Sequence, residues 1–306
     1  MTAGLGGASG PAQPAIDDRR VGQAVWIDGE RCDPAAAHVS IRDRGLTLAD
    51  GVFETMRVHN GRVFRMDRHL ARLAGALLVL RIPSPPDLRR SVLGAVEDAD
   101  LDDGSVRLTV TRGVGPAGVA APLDPAPTVI AAAGPMPAFA RSIHESGLHA
   151  RIASGRRNER AMTAGLKTLA YVDAVAALLE AQRAGGDEAL FLDTDDHLSE
   201  ATAGNLFVWT GDSLLTPPVS CGALPGITRA AVLELASGLG LEARDRAFGV
   251  DVLAGAREAF LTSSLRGIAP LASVDGAGIG RGTPGAVTRR IADAYASLVD
   301  RECRSS

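Results

Sequence analysis

The apolar residues of this chain recur with two different periods, and this predicts strands and helices in both halves. Alternation with a period of two predicts hairpins at Val25–Cys32 and Gly51–Met66. Two further strands are predicted at Ser105–Thr111 and Pro127–Ala133, on either side of a loop rich in glycine and proline at Gly113–Pro125.

Helical spacing separates these strands. Leu70, Leu73 and Leu77 fall on one face of a predicted helix at Asp67–Leu80. Asp67 is placed to cap this helix, and a second helix is predicted at Asp87–Asp98. The second half alternates short strands with long helices. Its predicted strands are His149–Ala153, Ala189–Leu192, Asn205–Trp209, Leu214–Pro217 and Glu258–Thr262, and its predicted helices are Leu169–Ala184, Thr228–Leu239 and Val287–Val299.

The order of these elements predicts an α/β (α+β) protein with two domains. A length of 306 residues favours two domains over one, and the segment GPMPAFA has the prolines and small residues of a linker. We expect a disordered tail at 1–20, a small N-terminal α/β domain at 21–133, a linker at 134–141 and a larger C-terminal domain at 142–306.

Composition and charge argue against several functional classes. The formal net charge is -4 and the sequence pI is about 5.9, which gives no electrostatic reason to expect nucleic acid as a partner. No apolar run is long enough to span a bilayer, and residues 1–20 lack the pattern of a signal peptide. The three cysteines are far apart and the histidines show no metal-binding spacing. We therefore expect a cytoplasmic protein without a membrane partner or a metal.

Lys167 is the only lysine among the 32 Lys and Arg residues. Arginine can replace lysine in solubility, ion pairing and phosphate contact, but its guanidinium stays protonated, whereas an amine can form a Schiff base. Lys167 precedes a predicted helix, at a position from which it can project into an interior space suited to nucleophilic or general-base work. The alternative is a composition bias that left one lysine by chance.

Other motifs are candidates for ligand contacts. Small residues follow Glu200, so a flat ligand could approach the backbone there and use this carboxylate as the partner of a ring nitrogen. Gly226-Ile227-Thr228 opens a predicted helix whose free N–H groups suit a phosphate. Each feature is also common in ordinary turns, loops and surface helices. The further candidate phosphate contacts are Arg72, Thr262, Ser263 and Ser264.

In their order along the chain, these motifs resemble those of the class IV aminotransferases, the fold-type IV enzymes that use pyridoxal 5′-phosphate. The resemblance extends from about Trp26 to Leu271. It covers D-amino-acid aminotransferases, branched-chain aminotransferases and 4-amino-4-deoxychorismate lyases. The segments that carry it are DRGLTLADGVFETMRVHNGRVFRMDRHLARL, LKTLAYVDAV, DEALFLDTDDHLSEATAGNLF, LPGITRAAV and FLTSSLRGIAPL.

The resemblance implies a role for each candidate residue and a two-domain fold with the cofactor between the domains. Lys167 takes the place of the lysine that forms the Schiff base with pyridoxal phosphate and shuttles the proton. Glu200 takes the place of the carboxylate at the pyridine nitrogen. Family members generally form homodimers, so a second copy of the chain is an expected partner. The other implied cofactor-binding residues are Arg72, Tyr171, Leu224, Ile227, Thr228, Ser263 and Ser264.

Substrate residues follow the family patterns less closely. Phe53 stands where the best-known D-amino-acid enzymes carry tyrosine, and the loop Gly113–Pro125 lacks their Arg-x-His pair. The segment SVRL keeps only the valine and arginine of the branched-chain Tyr-Val-Arg-Pro strand. An arginine is nevertheless expected to bind the substrate carboxylate, because its fork matches two carboxylate oxygens. The candidates are Arg44, Arg107 and Arg266, although an arginine in such a position is more often a structural or surface residue.

We predict a transaminase that moves an amino group between an amino acid, with D-amino acids favoured, and a 2-keto acid by a ping-pong Schiff-base mechanism. One alternative is 4-amino-4-deoxychorismate lyase, which releases pyruvate and 4-aminobenzoate without a keto acceptor. Another is a homologue that binds a metabolite without catalysis.

Overall fold

The computed structural model describes residues 23–139, 142–281 and 284–304. The tail predicted at 1–20 and the last two residues of the predicted linker lie outside these ranges. Within them, no helix combines the length and the apolarity that crossing a bilayer would require.

Six antiparallel strands from the first half form one sheet, in the spatial order β2-β1-β6-β5-β3-β4. The strands are β1 (Ala24–Ile27), β2 (Glu30–Cys32), β3 (Gly51–His59), β4 (Arg62–Val63), β5 (Gly104–Thr111) and β6 (Val129–Pro135). The helices of this half are α1 (Arg44–Leu48), α2 (Met66–Leu80) and α3 (Leu88–Asp98).

Period-two alternation gives this sheet two different faces. Met56 on β3 and Leu108 on β5 are fully buried in the same core as Leu73 of α2 and Val92 of α3. Side chains at the intervening positions of β3 and β5 point to the opposite face. That second face is the one that carries chemistry.

The second half forms a nine-stranded sheet. Its strands are β7 (Leu148–Arg156), β8 (Glu188–Leu192), β9 (Leu198–Ala201), β10 (Asn205–Trp209), β11 (Ser213–Thr216), β12 (Glu242–Asp245), β13 (Glu258–Ser263), β14 (Gly267–Val274) and β15 (Ala277–Gly278). Because β9 pairs with both β8 and β10, six of these strands close into a ring of pairings. The helices are α4 (Ser142–Glu145), α5 (Val172–Arg183), α6 (Ile227–Gly238), α7 (Val250–Ala254) and α8 (Ala286–Glu302).

The central strands of this second sheet are buried on both faces, which explains their continuous apolar runs. Leu206 and Leu261 pack with the residues on one side of the sheet. Phe207 and Phe260 point to the other side, stack with their ring centres 5.1 Å apart and share a core with residues of α6 and α8. The mixed α/β architecture predicted from the sequence is thus confirmed, while the exact domain boundaries remain predictions.

Three boundary details differ from the sequence predictions. Asp67 does not cap α2, because it lies inside the first turn and pairs with Arg89. The residue before the helix is Arg65, and its side chain makes no capping hydrogen bond. The helix predicted to begin at Leu169 begins at Val172, because the preceding residues hydrogen-bond to β3 instead. The strand predicted to end at Ala133 continues to Pro135 and so takes the first two residues of the predicted linker.

Candidate active site

A cavity of about 650 Å³ lies against the second face of the first sheet. One wall comes from β3 and β5, and the facing walls come from the segment before α5, from β9, from the end of β13 and from the start of α6. Of the residues predicted as site candidates from the sequence, all but Arg44 line this cavity. Its volume falls within the roughly 300–1,000 Å³ typical of small-molecule sites.

Lys167 enters the cavity from an extended segment bridged to β3. Its carbonyl accepts the N–H of Phe53 at 3.0 Å, and the N–H of Leu169 donates to the carbonyl of Gly51, also at 3.0 Å. A Cβ atom at Gly51 would lie 2.6 Å from the backbone carbonyl oxygen of Val110 on β5, so only glycine permits the close approach of these two strands. The half-buried Lys167 Nζ then lies 3.0 Å from the hydroxyl of Tyr171.

Glu200 lies in the middle of β9, directly opposite Asn205 of β10. Its Oε2 accepts the N–H of Leu224 at 2.9 Å, and its Oε1 lies 3.2 Å from Nε of Arg157. Burial raises the pKa of Glu200, although Arg157 and the Leu224 N–H act in the opposite direction. A cationic nitrogen placed against this carboxylate would therefore stabilise its ionised form further.

The N-terminus of α6 is arranged to bind an anion. No side chain caps the helix at Gly226, so its first N–H groups are available, and the positive end of the helix dipole faces the same place. Asn205 Nδ2 donates to the carbonyl of Leu224 at 2.8 Å and fixes the approach to the helix. Thr262 Oγ1, on the cavity wall nearby, is buried without a hydrogen-bond partner among the described residues.

Arg72 is held at the cavity by a buried carboxylate. Its Nε and one terminal nitrogen bind the two oxygens of Glu54 at 2.7 and 2.6 Å, and its other terminal nitrogen donates to the carbonyl of Pro225 at 2.8 Å. The same carboxylate accepts a hydrogen bond from Nδ1 of His69 at 2.7 Å. Burial alone would raise the pKa of Glu54, but the hydrogen bonds from Arg72 and His69 hold it below its usual range.

Arg44 is a structural arginine in this fold, contrary to its prediction as a substrate residue. Its side chain is buried and binds Asp50 at 2.9 Å. Its terminal nitrogens donate to the carbonyls of Gly118, Val119 and Ala120. These contacts hold the loop predicted at Gly113–Pro125 against α1 and occupy four of the five guanidinium N–H groups of Arg44, which does not line the cavity.

The other two arginine candidates differ in their partners. Arg266 binds the buried carboxylate of Glu188 at 2.7 Å. Arg107 projects from β5 over the ring of Phe53, with its guanidinium carbon 3.6 Å from the ring centre. The hydrogen bond that its guanidinium makes among the described residues goes to the hydroxyl of Thr109, at 3.3 Å.

Sequence reasoning missed four residues that shape the site: Glu54, His69, Arg157 and Asn205. Glu54 was detectable, because a carboxylate inside an otherwise apolar strand needs a buried partner. His69 was detectable as well, because it shares a helix face with Arg72 three residues later. Arg157 and Asn205 gave no comparable signal, since only the folded sheet brings them to Glu200 and Leu224.

Comparison with known protein families identifies the family to which the chain belongs. A family model described as "Amino-transferase class IV" matches residues 51–274, most of the chain. The chain is a class IV aminotransferase.

This aminotransferase is 34% identical to a putative branched-chain-amino-acid aminotransferase of Methanocaldococcus jannaschii, over 90% of the chain and 96% of the relative. It is 31% identical to the D-alanine aminotransferase of Bacillus licheniformis, over 90% of the chain and 96% of that protein. It also matches the crystal structure of 4-amino-4-deoxychorismate lyase from Pseudomonas aeruginosa with a TM-score of 0.80 and 35% identity, over 90% of the chain and 99% of the lyase.

Class IV aminotransferases depend on pyridoxal 5′-phosphate, and the residues of this cavity fit that group. The uncapped start of α6 and the unpartnered hydroxyl of Thr262 suit its phosphate, with Arg72 alongside. Glu200 suits its ring nitrogen and Lys167 supplies an amine. When bound, the group supplies an electrophilic carbon and an electron-accepting ring.

Because Glu54 holds Arg72 at the cavity, we expect replacement of Glu54 to weaken cofactor binding. In a Glu54→Gln variant, Arg72 loses its charged, two-point partner, and we expect cofactor affinity to fall about tenfold, because hydrogen bonds to charged groups contribute about 1.5–3 kcal/mol. The measurement is absorbance titration of cofactor-depleted protein with pyridoxal 5′-phosphate.

Asp98→Asn is the matched control, since Asp98 binds Trp26 Nε1 at 2.7 Å in the same half of the protein but outside the cavity. It should leave cofactor affinity unchanged. Equal affinities for Glu54→Gln and the unmodified protein would contradict the role given to Glu54.

Proposed function

We propose that this class IV aminotransferase moves an amino group between an amino acid, with D-amino acids favoured, and a 2-keto acid. Lys167 is the catalytic amine and Arg107 binds the substrate carboxylate. The observation that carries this proposal is that both cations lie against one aromatic ring. Lys167 Nζ is 4.4 Å from the centre of the Phe53 ring and the Arg107 guanidinium carbon is 3.6 Å from it.

Arg107 is the candidate arginine whose charge is available. Arg44 is ion-paired with Asp50 and Arg266 with Glu188, whereas Arg107 has no carboxylate partner among the described residues. An unpaired guanidinium beside the catalytic amine favours a substrate that carries a carboxylate next to its amino group, because the fork can bind both oxygens.

The neighbours of Lys167 fit a proton-transfer role. Its Nζ moves the proton at the substrate carbon that bears the amino group, and the Tyr171 hydroxyl 3.0 Å away orients the amine. Phe53 packs edge-on against the Tyr171 ring, with centres 5.1 Å apart, and thus limits the motion of that hydroxyl.

The preference for D-amino acids is supported by departures from the branched-chain pattern. Ser105 stands where branched-chain enzymes carry tyrosine, and it sits directly opposite Arg57 on β3. Leu108 stands in place of proline and is fully buried in the core below the sheet. The relative from Bacillus licheniformis, named as a D-alanine aminotransferase, is consistent with this preference.

A second candidate function is 4-amino-4-deoxychorismate lyase. It is favoured by the 35% identity to the Pseudomonas aeruginosa lyase over nearly the whole of that protein. The same lysine would serve, but pyruvate would leave without consumption of a keto acid. Incubation with aminodeoxychorismate and no keto acceptor distinguishes the two functions, since only the lyase releases pyruvate and 4-aminobenzoate.

We also propose that the protein forms a homodimer through the apolar surface beside the cavity. Met162 is 95% exposed and Val172 is 79% exposed, and both lie in or next to the segment that carries Lys167. Val119, in the loop held by Arg44, is 88% exposed. Because Met162 and Val172 flank the segment that carries Lys167, we infer that the contact surface includes this segment.

Sedimentation-velocity analysis tests the dimer. The unmodified protein should sediment as a dimer at micromolar concentration, and a Val172→Asp variant should shift toward the monomer because it would bury a charge. Val79→Asp, on an exposed position of α2, is the control and should stay dimeric. A monomer under all conditions would contradict the proposal.

Steady-state kinetics of an Arg107→Gln variant test the transaminase proposal. With D-alanine and 2-oxoglutarate, we expect KM for the donor to rise about 10–100-fold with little change in kcat, because a charge-assisted hydrogen bond of about 1.5–3 kcal/mol is lost. Single-turnover changes in cofactor absorbance with D-alanine, L-leucine and a primary amine without a carboxylate give the donor preference.

The amine without a carboxylate should react equally with the unmodified protein and the variant. Arg31→Gln, in which an exposed arginine of β2 is replaced, is the matched control and should leave all constants unchanged. Absence of any cofactor absorbance change with D-amino acids would contradict the proposal that they are the amino donors. An unchanged KM in Arg107→Gln would remove Arg107 as the anchor.

A further inference from the structure

A cluster of three metal-ligating side chains lies outside the cavity. Asp193 and His197 belong to the turn between β8 and β9, and Cys221 ends a short 3₁₀ turn, Val219–Cys221, that follows β11. Their possible ligand atoms all lie within 4.8 Å of one another. Because Cys221 is far along the chain from the other two, residue spacing did not predict a metal site.

The Asp193 carboxylate holds the other two side chains of the cluster close to it. Asp193 Oδ1 accepts the N–H groups of Asp195 and His197 at 3.0 and 2.8 Å, which forms the turn. Its Oδ2 faces Nδ1 of His197 at 3.3 Å. Asp193 and Cys221 are buried, at 2% and 3% exposure, while the His197 side chain is 41% exposed. The cluster is therefore enclosed on two sides and open to solvent on the third.

The charge around Cys221 suits a cation. The carboxylates of Asp193, Glu159 and Asp245 lie close enough to the Cys221 thiol to interact with it electrostatically. Glu159 and Asp245 are paired with Arg160 and Arg229, so the carboxylate that attracts a positive ion here is that of Asp193. Such an ion would stabilise the Cys221 thiolate.

We propose that Asp193, His197 and Cys221 bind one divalent transition-metal ion, with Zn²⁺ as the best match. Zn²⁺ accepts carboxylate oxygen, imidazole nitrogen and thiolate sulfur in one tetrahedral shell, at bond lengths of about 2.0–2.3 Å. Water on the exposed side of His197 completes the shell. Mg²⁺ and Ca²⁺ do not match this set of side-chain ligands, because both ions prefer oxygen donors.

Binding is balanced by one proton. The Cys221 S–H bond breaks, the zinc–sulfur bond forms, and the proton passes to solvent. Asp193 contributes a carboxylate oxygen and His197 an imidazole nitrogen to the shell. Ligand atoms of a tetrahedral shell with these bond lengths lie about 3.3–3.8 Å apart. Asp193 Oδ2 and His197 Nδ1 are 3.3 Å apart, and no separation in the cluster exceeds 4.8 Å.

The ion would stabilise the segment Cys221–Leu224, which lies next to Glu200 in the active site. Cys221 is followed by Gly222, Ala223 and Leu224, and the N–H of Leu224 holds Glu200. Gly222 is in the left-handed conformation at φ +80°, and a Cβ atom there would lie 3.3 Å from the Cβ of Arg157. A tie between Cys221 and the β8–β9 turn therefore limits movement of the segment that positions Glu200.

Calorimetric titration of the tag-free, cofactor-loaded protein with ZnCl₂, after treatment with a chelator and its removal, tests the site. We expect one Zn²⁺ per chain at micromolar or lower free ion, and about one proton released per ion when two buffers of different ionisation enthalpy are compared. The unfolding temperature should rise with added Zn²⁺, because the ion binds the folded state.

Cys221→Ser and His197→Gln should each weaken binding by at least about 100-fold, since loss of an outer-shell partner alone already costs about 10–100-fold. Cys32→Ser and His149→Gln are the matched controls and should bind as the unmodified protein does. His197 is partly exposed, so His197→Gln keeps the test valid if Cys221→Ser fails to fold. Absence of stoichiometric binding, or equal binding by His197→Gln, would overturn the proposal.

Discussion

Two backbone hydrogen bonds between the Lys167 segment and β3 set the position of the only lysine in the chain. One of them joins Lys167 to Phe53 and the other joins Leu169 to Gly51, so a segment of the second half is held against the sheet of the first. The bridge delays the start of α5 to Val172 and leaves Lys167 extended. The amine therefore points into the cavity, where Phe53 and Tyr171 limit its motion.

Buried carboxylates paired with arginine organise the rest of the site. Glu54 holds Arg72, Glu188 holds Arg266, and Glu200 has Arg157 beside it. A buried carboxylate without such a partner would strongly destabilise the folded state, so each arginine offsets the cost of burying the carboxylate beside it. Arginine suits this work because it stays charged and binds at two points. The chemistry that arginine cannot perform is left to the single amine.

The sequence was informative where one residue type carries one chemical meaning. The singular lysine, the glutamate before small residues and the helix that follows Pro-Gly were all found, and they line one cavity. It was misleading for Arg44, because its partners are carbonyls of a loop whose path no periodicity reveals. Local capping rules failed at Asp67, where the tight passage from β4 into α2 determines the helix start. The cluster at Cys221 could not be found at all, since it depends on how the β8–β9 turn meets a distant 3₁₀ turn.

The central claim is that Lys167 is the amine that joins the cofactor, and reduction of the purified tag-free protein with borohydride tests it most directly. Since Lys167 is the only lysine, the α-amino group is the other amine that could carry a reduced cofactor adduct. Peptide mass mapping should find the adduct on the peptide that contains Lys167, and a Lys167→Arg variant should fold but show neither adduct nor turnover. An adduct confined to the N-terminus, or turnover retained by Lys167→Arg, would contradict the account.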